Sequence, residues 1–132
     1  MKQIEIKTTI EKLIYTFLYA GKVSIELRKK GLIKEIKEDN TPVSNGDLEV
    51  NRILTEKINN LTPQIPIVSE ETSHNKSKKD LKNFWLIDPI DGTYDYINDL
   101  DEFTLNAGLI INNRAVAGII YAPAKNLSLI HI

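Results

Sequence analysis

Two stretches of helical periodicity, followed by two alternating runs joined through Asn112-Asn113-Arg114, predict an α+β fold. The expected architecture is two helices packed on a mainly antiparallel sheet. Ile10, Leu13, Ile14, Phe17, Leu18, Gly21 and Ile25 recur at helical spacing, with Glu11, Lys12 and Lys22 on the other face. This predicts one long helix over residues 4–29, closed by Gly31. Its apolar stripe reads as core-facing, with a membrane-surface helix as the alternative.

Residues 33–36 form a candidate short strand, and the following EDNTPVSNG reads as loop. Ser44 can cap a second helix, with Asp47 three residues on as in a capping box. Val50, Ile53, Leu54, Ile58 and Leu61 make its buried stripe, and Thr62-Pro63 ends it. Residues 65–69 are a short apolar strand running into Glu70-Glu71. HNKSKKDLKN is a polar, basic loop, either solvated surface or phosphate-seeking. A strand over residues 84–87 leads to Gly92, where a short helix can start. Residues 103–111 and 115–121 are the closing strands of a tight hairpin. Phe103, Leu105, Ala107, Leu109 and Ile111 share one face, and Thr104, Asn106, Gly108 and Ile110 the other. The final NLSLIHI carries no cap or polar tail, so the chain is expected to stop in mid-structure.

At 132 residues the chain has the length of one domain. Seventeen Lys and Arg against eighteen Asp and Glu give a net charge of -1, so the basic footprint of a nucleic-acid-polymer binder is missing. The absence of Cys excludes disulfides and thiolate metal sites and fits a reducing cytoplasm. The N-terminal MKQIEIKTTIEK is too polar for a signal peptide. The uncharged run from Leu13 to Gly21 is far shorter than the roughly 20 residues a transmembrane helix needs.

The chemistry concentrates in WLIDPIDGT, residues 85–93. Asp88 ends an apolar strand, Pro89 stiffens the turn, and Asp91 comes back beside Asp88. Two carboxylates this close repel unless a proton or a cation lies between them. A hard divalent cation such as Mg²⁺ takes oxygen ligands, and the Ile90 carbonyl offers one more. Gly92 lets the backbone approach a ligand, and N–H groups at Gly92 and Thr93 would face an anion. The plain alternative is an Asp-Pro turn with Asp91 as a helix cap. Glu70 ends its strand as Asp88 ends the next, so if those strands are neighbours the two acids share one end of the sheet. Asp47 has a strong capping role of its own.

GDLEVN, IVSEE and WLIDPIDGT, in this order and at these separations, resemble the inositol-monophosphatase superfamily of Mg²⁺-dependent phosphatases. KEDNTPVSNGDLEVNRIL, LTPQIPIVSEET and DEFTLNAGLIINNRAVAGIIYAPAKN are most similar to its CysQ branch, the 3'(2'),5'-bisphosphate nucleotidases. The resemblance covers residues 5–128. It implies that Glu70, Asp88 and the Ile90 carbonyl bind one Mg²⁺, and that Asp88 and Asp91 bind a second. It implies that Asp47 and Thr93 orient or deprotonate the attacking water. Glu70, Asp88 and the Gly92 and Thr93 backbone amides would meet the substrate phosphate, with Lys37 and Asp39 near the metals. The implied reaction is hydrolysis of 3'-phosphoadenosine 5'-phosphate to AMP and phosphate. The implied location is the cytoplasm, with a peripheral place at the inner membrane face allowed.

The sequence departs from the branch where close relatives read KEFI and this chain has Tyr94-Asp95-Tyr96-Ile97, followed by the acidic Asn98-Asp99-Leu100-Asp101. The family's second half, with a further metal-binding Asp in a WDxAA motif, has no counterpart here. Residues 1–132 are therefore expected to be the N-terminal metal- and phosphate-binding half of an αβαβα fold, weakly active or inactive alone, and prone to self-association or to pairing with a complementing half. An inositol-monophosphatase-like hydrolase and a non-catalytic, metal-binding remnant are the other readings. His74 and His131 are too isolated to make a metal site and read as surface residues.

Overall fold

The structure is a computed structural model and describes residues 1–71 and 81–132. Helix α1 (Gln3–Lys30) is followed by β1 (Lys34–Ile36), β2 (Pro42–Ser44), α2 (Asn45–Leu61), β3 (Ile67–Ser69), β4 (Phe84–Asp91), α3 (Thr93–Ile97), β5 (Thr104–Ile111), β6 (Arg114–Ala122) and β7 (Leu127–His131). β1 and β2 form a small antiparallel pair. The other five strands make one sheet in the order β3-β4-β5-β6-β7. Only β3 and β4 run parallel, and the remaining neighbours are antiparallel. The fold is therefore α+β, with α1 and α2 packed on each other and on one face of a mixed, mainly antiparallel sheet.

The core lies between that helical layer and the sheet. Ile10, Leu13, Phe17, Val50, Leu54 and Ile58 meet Trp85, Ile87, Leu105, Leu109 and Ile119 there. The Trp85 indole N–H donates to Thr62 Oγ1 at 3.0 Å, and Thr62 Oγ1 donates to the Ile58 carbonyl at 2.9 Å. The polar end of the largest core side chain is thus satisfied without water. The α1 stripe departs from expectation at Leu18, which is 47 % exposed. Ala20 and Ser24 continue the buried line instead, because steps of three and four from Leu13 and Phe17 keep to one face.

The capping box on α2 forms as its sequence predicts. The Asn112-Asn113 turn holds both residues at positive φ, +52° and +64°, matching the twist of the hairpin it closes. Three elements differ from expectation. The segment read as a loop contains β2, held by pairing with β1 over only three residues, too few to show a period. The terminal apolar segment is strand β7, which covers the β6 edge along Gly118 to Ala122 and becomes the exposed edge itself. β4 does not stop at Ile87 but runs through Asp88-Pro89-Ile90-Asp91.

Proline is disfavoured inside a central strand because it cannot donate to the ladder. Here a bulge resolves the conflict. Asp88 pairs with Asn106 and Asp91 with Thr104, so β4 spends one residue more than β5 over that interval. Asn106 and Thr104 are two residues apart and lie on the same face of β5, so Asp88 and Asp91 are brought to one face as well.

Candidate active site

The face of the sheet turned away from the helices carries Leu86, Asp88, Asn106, Gly108, Gly118, Ile120, Leu129 and His131, which line a cavity of about 380 Å³. A groove of about 370 Å³ lies between the outer faces of α1 and α2, bordered by Tyr15, Tyr19, Arg52 and Glu56, away from every candidate site residue. The site described below sits at the end of β4, where the open face meets α3 and the start of α2.

Asp47 is fully buried in the first turn of α2. Its Oδ2 accepts from the Ser44 backbone N–H at 3.0 Å and from Ser44 Oγ at 2.5 Å. Its Oδ1 accepts from Thr93 Oγ1 at 2.8 Å, across 46 residues of sequence. The capping role and the proposed water-orienting role therefore use different oxygens of one carboxylate. Thr93 Oγ1 also lies 3.2 Å from the Ile90 carbonyl oxygen, a second acceptor for its proton. Gly92 precedes α3 at φ +90°, and a Cβ there would meet the Glu102 carbonyl oxygen at 3.0 Å. Only glycine suits that combination of left-handed backbone and close approach.

The parallel pairing of β3 with β4 sets Ser69 against Ile87, and Glu70 N donates to the Ile87 carbonyl at 3.2 Å. Glu70 and Asp88 consequently arrive at the same end of the sheet. The Asp88 carboxyl is pushed up to about 6, first by burial and then by Asp91, Glu70, Glu71 and Asp47. Among the described residues no hydrogen bond reaches the Asp88 carboxylate. Asn106 Nδ2 donates to Asp91 Oδ2 at 3.4 Å, and its buried Oδ1 has no partner among the described residues.

Sequence reasoning missed Glu71, which burial pushes above the ordinary carboxylate range against the opposing pull of Lys37. Lys37 Nζ lies 3.7 Å from Glu71 Oε2, so Lys37 does stand beside the acidic cluster. Asp39 instead serves its own turn. It accepts from the Thr41 backbone N–H at 3.1 Å, and its bonds to Thr41 hold its carboxyl below the ordinary value. His131 is exposed on β7, and His74 lies outside the described residues, as does most of the basic loop.

Among the described residues, no three His, Asp or Glu side chains stand close enough to share one ion. In kind, though, the donors fit a hard divalent cation. Glu70, Asp88, Asp91, the Ile90 carbonyl and the unpartnered Asn106 Oδ1 are all oxygen, and the neighbouring acids add to burial in raising the Asp88 carboxyl.

The sequence profile of the Inositol monophosphatase family matches residues 7–131. A 3'(2'),5'-bisphosphate nucleotidase CysQ from Haemophilus influenzae is 42 % identical over 106 residues, covering 79 % of this chain and 39 % of that protein. An IMPase structure from Thermotoga maritima superposes with a TM-score of 0.81 at 25 % identity, covering 92 % of this chain and 46 % of the other. An IMPase/NADP phosphatase solved with Mg²⁺ and phosphate superposes at 0.77 with 19 % identity, over 95 % of this chain and 48 % of the other. The chain thus spans about two-fifths of the length of the curated relative and under half of the solved structures.

Proposed function

Because the chain belongs to the inositol monophosphatase family, we propose that it forms the metal- and phosphate-binding part of a Mg²⁺-dependent phosphomonoesterase. The proposed substrate is a nucleoside 3',5'-bisphosphate, in the first place 3'-phosphoadenosine 5'-phosphate, hydrolysed to AMP and phosphate. The observation that carries the reading is the bulge in β4, which turns Asp88 and Asp91 to one face next to the Thr93–Asp47 hydrogen bond. The 42 % identity to a CysQ nucleotidase favours the nucleotide over an inositol phosphate.

In this reading Glu70, Asp88 and the Ile90 carbonyl hold one Mg²⁺, and Asp88 and Asp91 a second. Mg²⁺ bound there supplies charge that offsets the carboxylates, acidifies water and stabilises a leaving oxygen. The protein's own groups do the rest. The Gly92 and Thr93 backbone N–H groups hold the phosphate oxygens. Thr93 Oγ1 donates to Asp47 Oδ1 and keeps lone pairs free to accept from an attacking water. As that water loses its proton, Thr93 relays one to Asp47. A carboxylate with both oxygens already fixed by donors cannot swing away from the water it serves.

Calorimetric titration with Mg²⁺ and Mn²⁺, followed by phosphate-release assays on 3'-phosphoadenosine 5'-phosphate and inositol 1-phosphate, tests the reading. Metal binding that Asp88→Asn weakens, with Asp39→Asn affecting it less, supports the site. Equal affinity in Asp88→Asn and the parent would sink it. Turnover by these 132 residues alone should be slight, since the chain spans about two-fifths of the length of the nucleotidase it resembles. Faster release from the inositol phosphate would reverse the substrate assignment.

A further inference from the structure

Tyr96 is fully buried at the junction of all three helices. Its hydroxyl donates to the Ser24 carbonyl of α1 at 2.7 Å, across 72 residues. Its ring packs against Phe103 with centroids 4.8 Å apart. On the α2 side it presses on Gly46, where an added Cβ would fall 2.1 Å from the Tyr96 hydroxyl oxygen and 2.7 Å from two ring carbons. Arg28 closes the other side. Its guanidinium stands 5.7 Å from the Tyr96 centroid and 5.0 Å from that of Phe103, donates to the Leu100 carbonyl at 2.6 Å and pairs with Asp101 at 3.0 Å.

The two residues that meet here flank the working groups. Gly46 immediately precedes Asp47, and Tyr96 sits one helical turn after Thr93. Glycine weakens a helix relative to alanine, so its presence in the first turn of α2 needs a reason. The reason on view is the Tyr96 hydroxyl, which fills the space a side chain would take.

We propose that Tyr96 and Gly46 are a matched pair of positioning residues. The Tyr96 hydroxyl ties α3 to α1, Gly46 makes room for it against α2, and together they fix where Thr93 stands relative to Asp47. This rests on the functional reading above only in treating Thr93 and Asp47 as working groups. It adds that their 2.8 Å contact is set from α1 and α2 and is not inherent in the short helix that carries Thr93.

The experiment compares the parent with Gly46→Ala, Tyr96→Phe and the double variant. It reads the Thr93 methyl NMR signal without ligand, the Mn²⁺ affinity, and the affinity for inorganic phosphate in the presence of Mn²⁺. Gly46→Ala should displace the Thr93 signal and weaken phosphate binding about tenfold, while Mn²⁺ affinity, set on β3 and β4, stays within about twofold. Adding Tyr96→Phe removes the nearest clash but also the tie to Ser24, so the double variant should recover part of both and not all. A purely structural lesion would move metal and phosphate affinity together, and that result overturns the proposal. So does an unmoved Thr93 signal in Gly46→Ala, or a double variant no better than the single one. If Gly46→Ala does not fold, a folded double variant supports the pairing and an unfolded one refutes it. A parent that binds neither Mn²⁺ nor phosphate refutes the proposed function instead, and the Thr93 signal still decides the pairing.

Discussion

Asp47 and Asp88 face each other across one site under opposite conditions. Asp47 is fully buried, and both its oxygens accept hydrogen bonds, from Ser44 and from Thr93. The Asp88 carboxyl receives none among the described residues, and Asp91, Glu70 and Glu71 push it up on top of the effect of burial. One carboxylate is completed by the fold and the other is set against it. Burial of a charge is tolerated when donors surround it and is opposed when like charges do. The difference separates a group whose job includes holding the structure from one whose carboxylate the described residues supply with no donor.

The largest expected effect tests the completed side. Asp47→Ala strands the Ser44 N–H and hydroxyl and leaves the Thr93 hydroxyl only its longer bond to the Ile90 carbonyl, and should cost about 2–4 kcal/mol in urea unfolding. Asp47→Asn should not be neutral either, because a carboxamide has one oxygen where two separate acceptors are needed. A loss of about 1–3 kcal/mol is expected. If Asp47→Asn unfolds like the parent, the asymmetry between the two carboxylates is false.

The opposed side should behave in reverse. The folded chain holds the Asp88 proton up to about pH 6, whereas the ordinary value is 3.8. The folded state therefore binds that proton more tightly than the unfolded state does. The stabilisation from Asp88 is complete at pH below 3.8, declines as pH rises toward 6 and is lost above it. Asp88→Asn should remove that decline, leaving the metal-free variant at least as stable as the parent at neutral pH. The same substitution should weaken Mg²⁺ or Mn²⁺ binding by about tenfold or more. Thermal melts across pH, with and without metal, check both halves. A metal-free Asp88→Asn that melts below the parent at neutral pH would show that Asp88 belongs with Asp47.

The smallest effect is a control remote from both acids. Asn113 sits at φ +64° in the β5–β6 turn, where glycine is at home. Asn113→Gly should change stability by no more than about 0.5 kcal/mol in either direction. Metal affinity should not respond at all, and a change there would mean the calorimetric signal does not report on the acidic cluster.

What the sequence made legible is what repeats. The 3.6-residue stripe of α2 and the alternation along β5 each give several residues voting for one answer. The capping box was readable because Ser44 and Asp47 lie three residues apart. Contacts between distant segments leave no such trace. Nothing near Lys37 announces Glu71, and nothing near Gly46 announces Tyr96. The candidate acids were legible as a cluster, but their arrangement was not. Pro89 read as a turn because proline usually breaks strands, and the bulge that accommodates it depends on pairing with β5. β7 went unread because its five exposed residues alternate with no buried partner to mark them.

The bulge turns the spacing of the DPID segment into a matter of parity. Along an unbroken strand, positions three apart point in opposite directions, so the second aspartate would be driven into the hydrocarbon interior beneath the helices. One surplus residue restores the even count. The separation of the two acids is consequently not an adjustable linker length. It works as a switch with two settings, and adding or removing a single residue between them would exchange a paired acidic surface for a lone acid outside and a buried charge within.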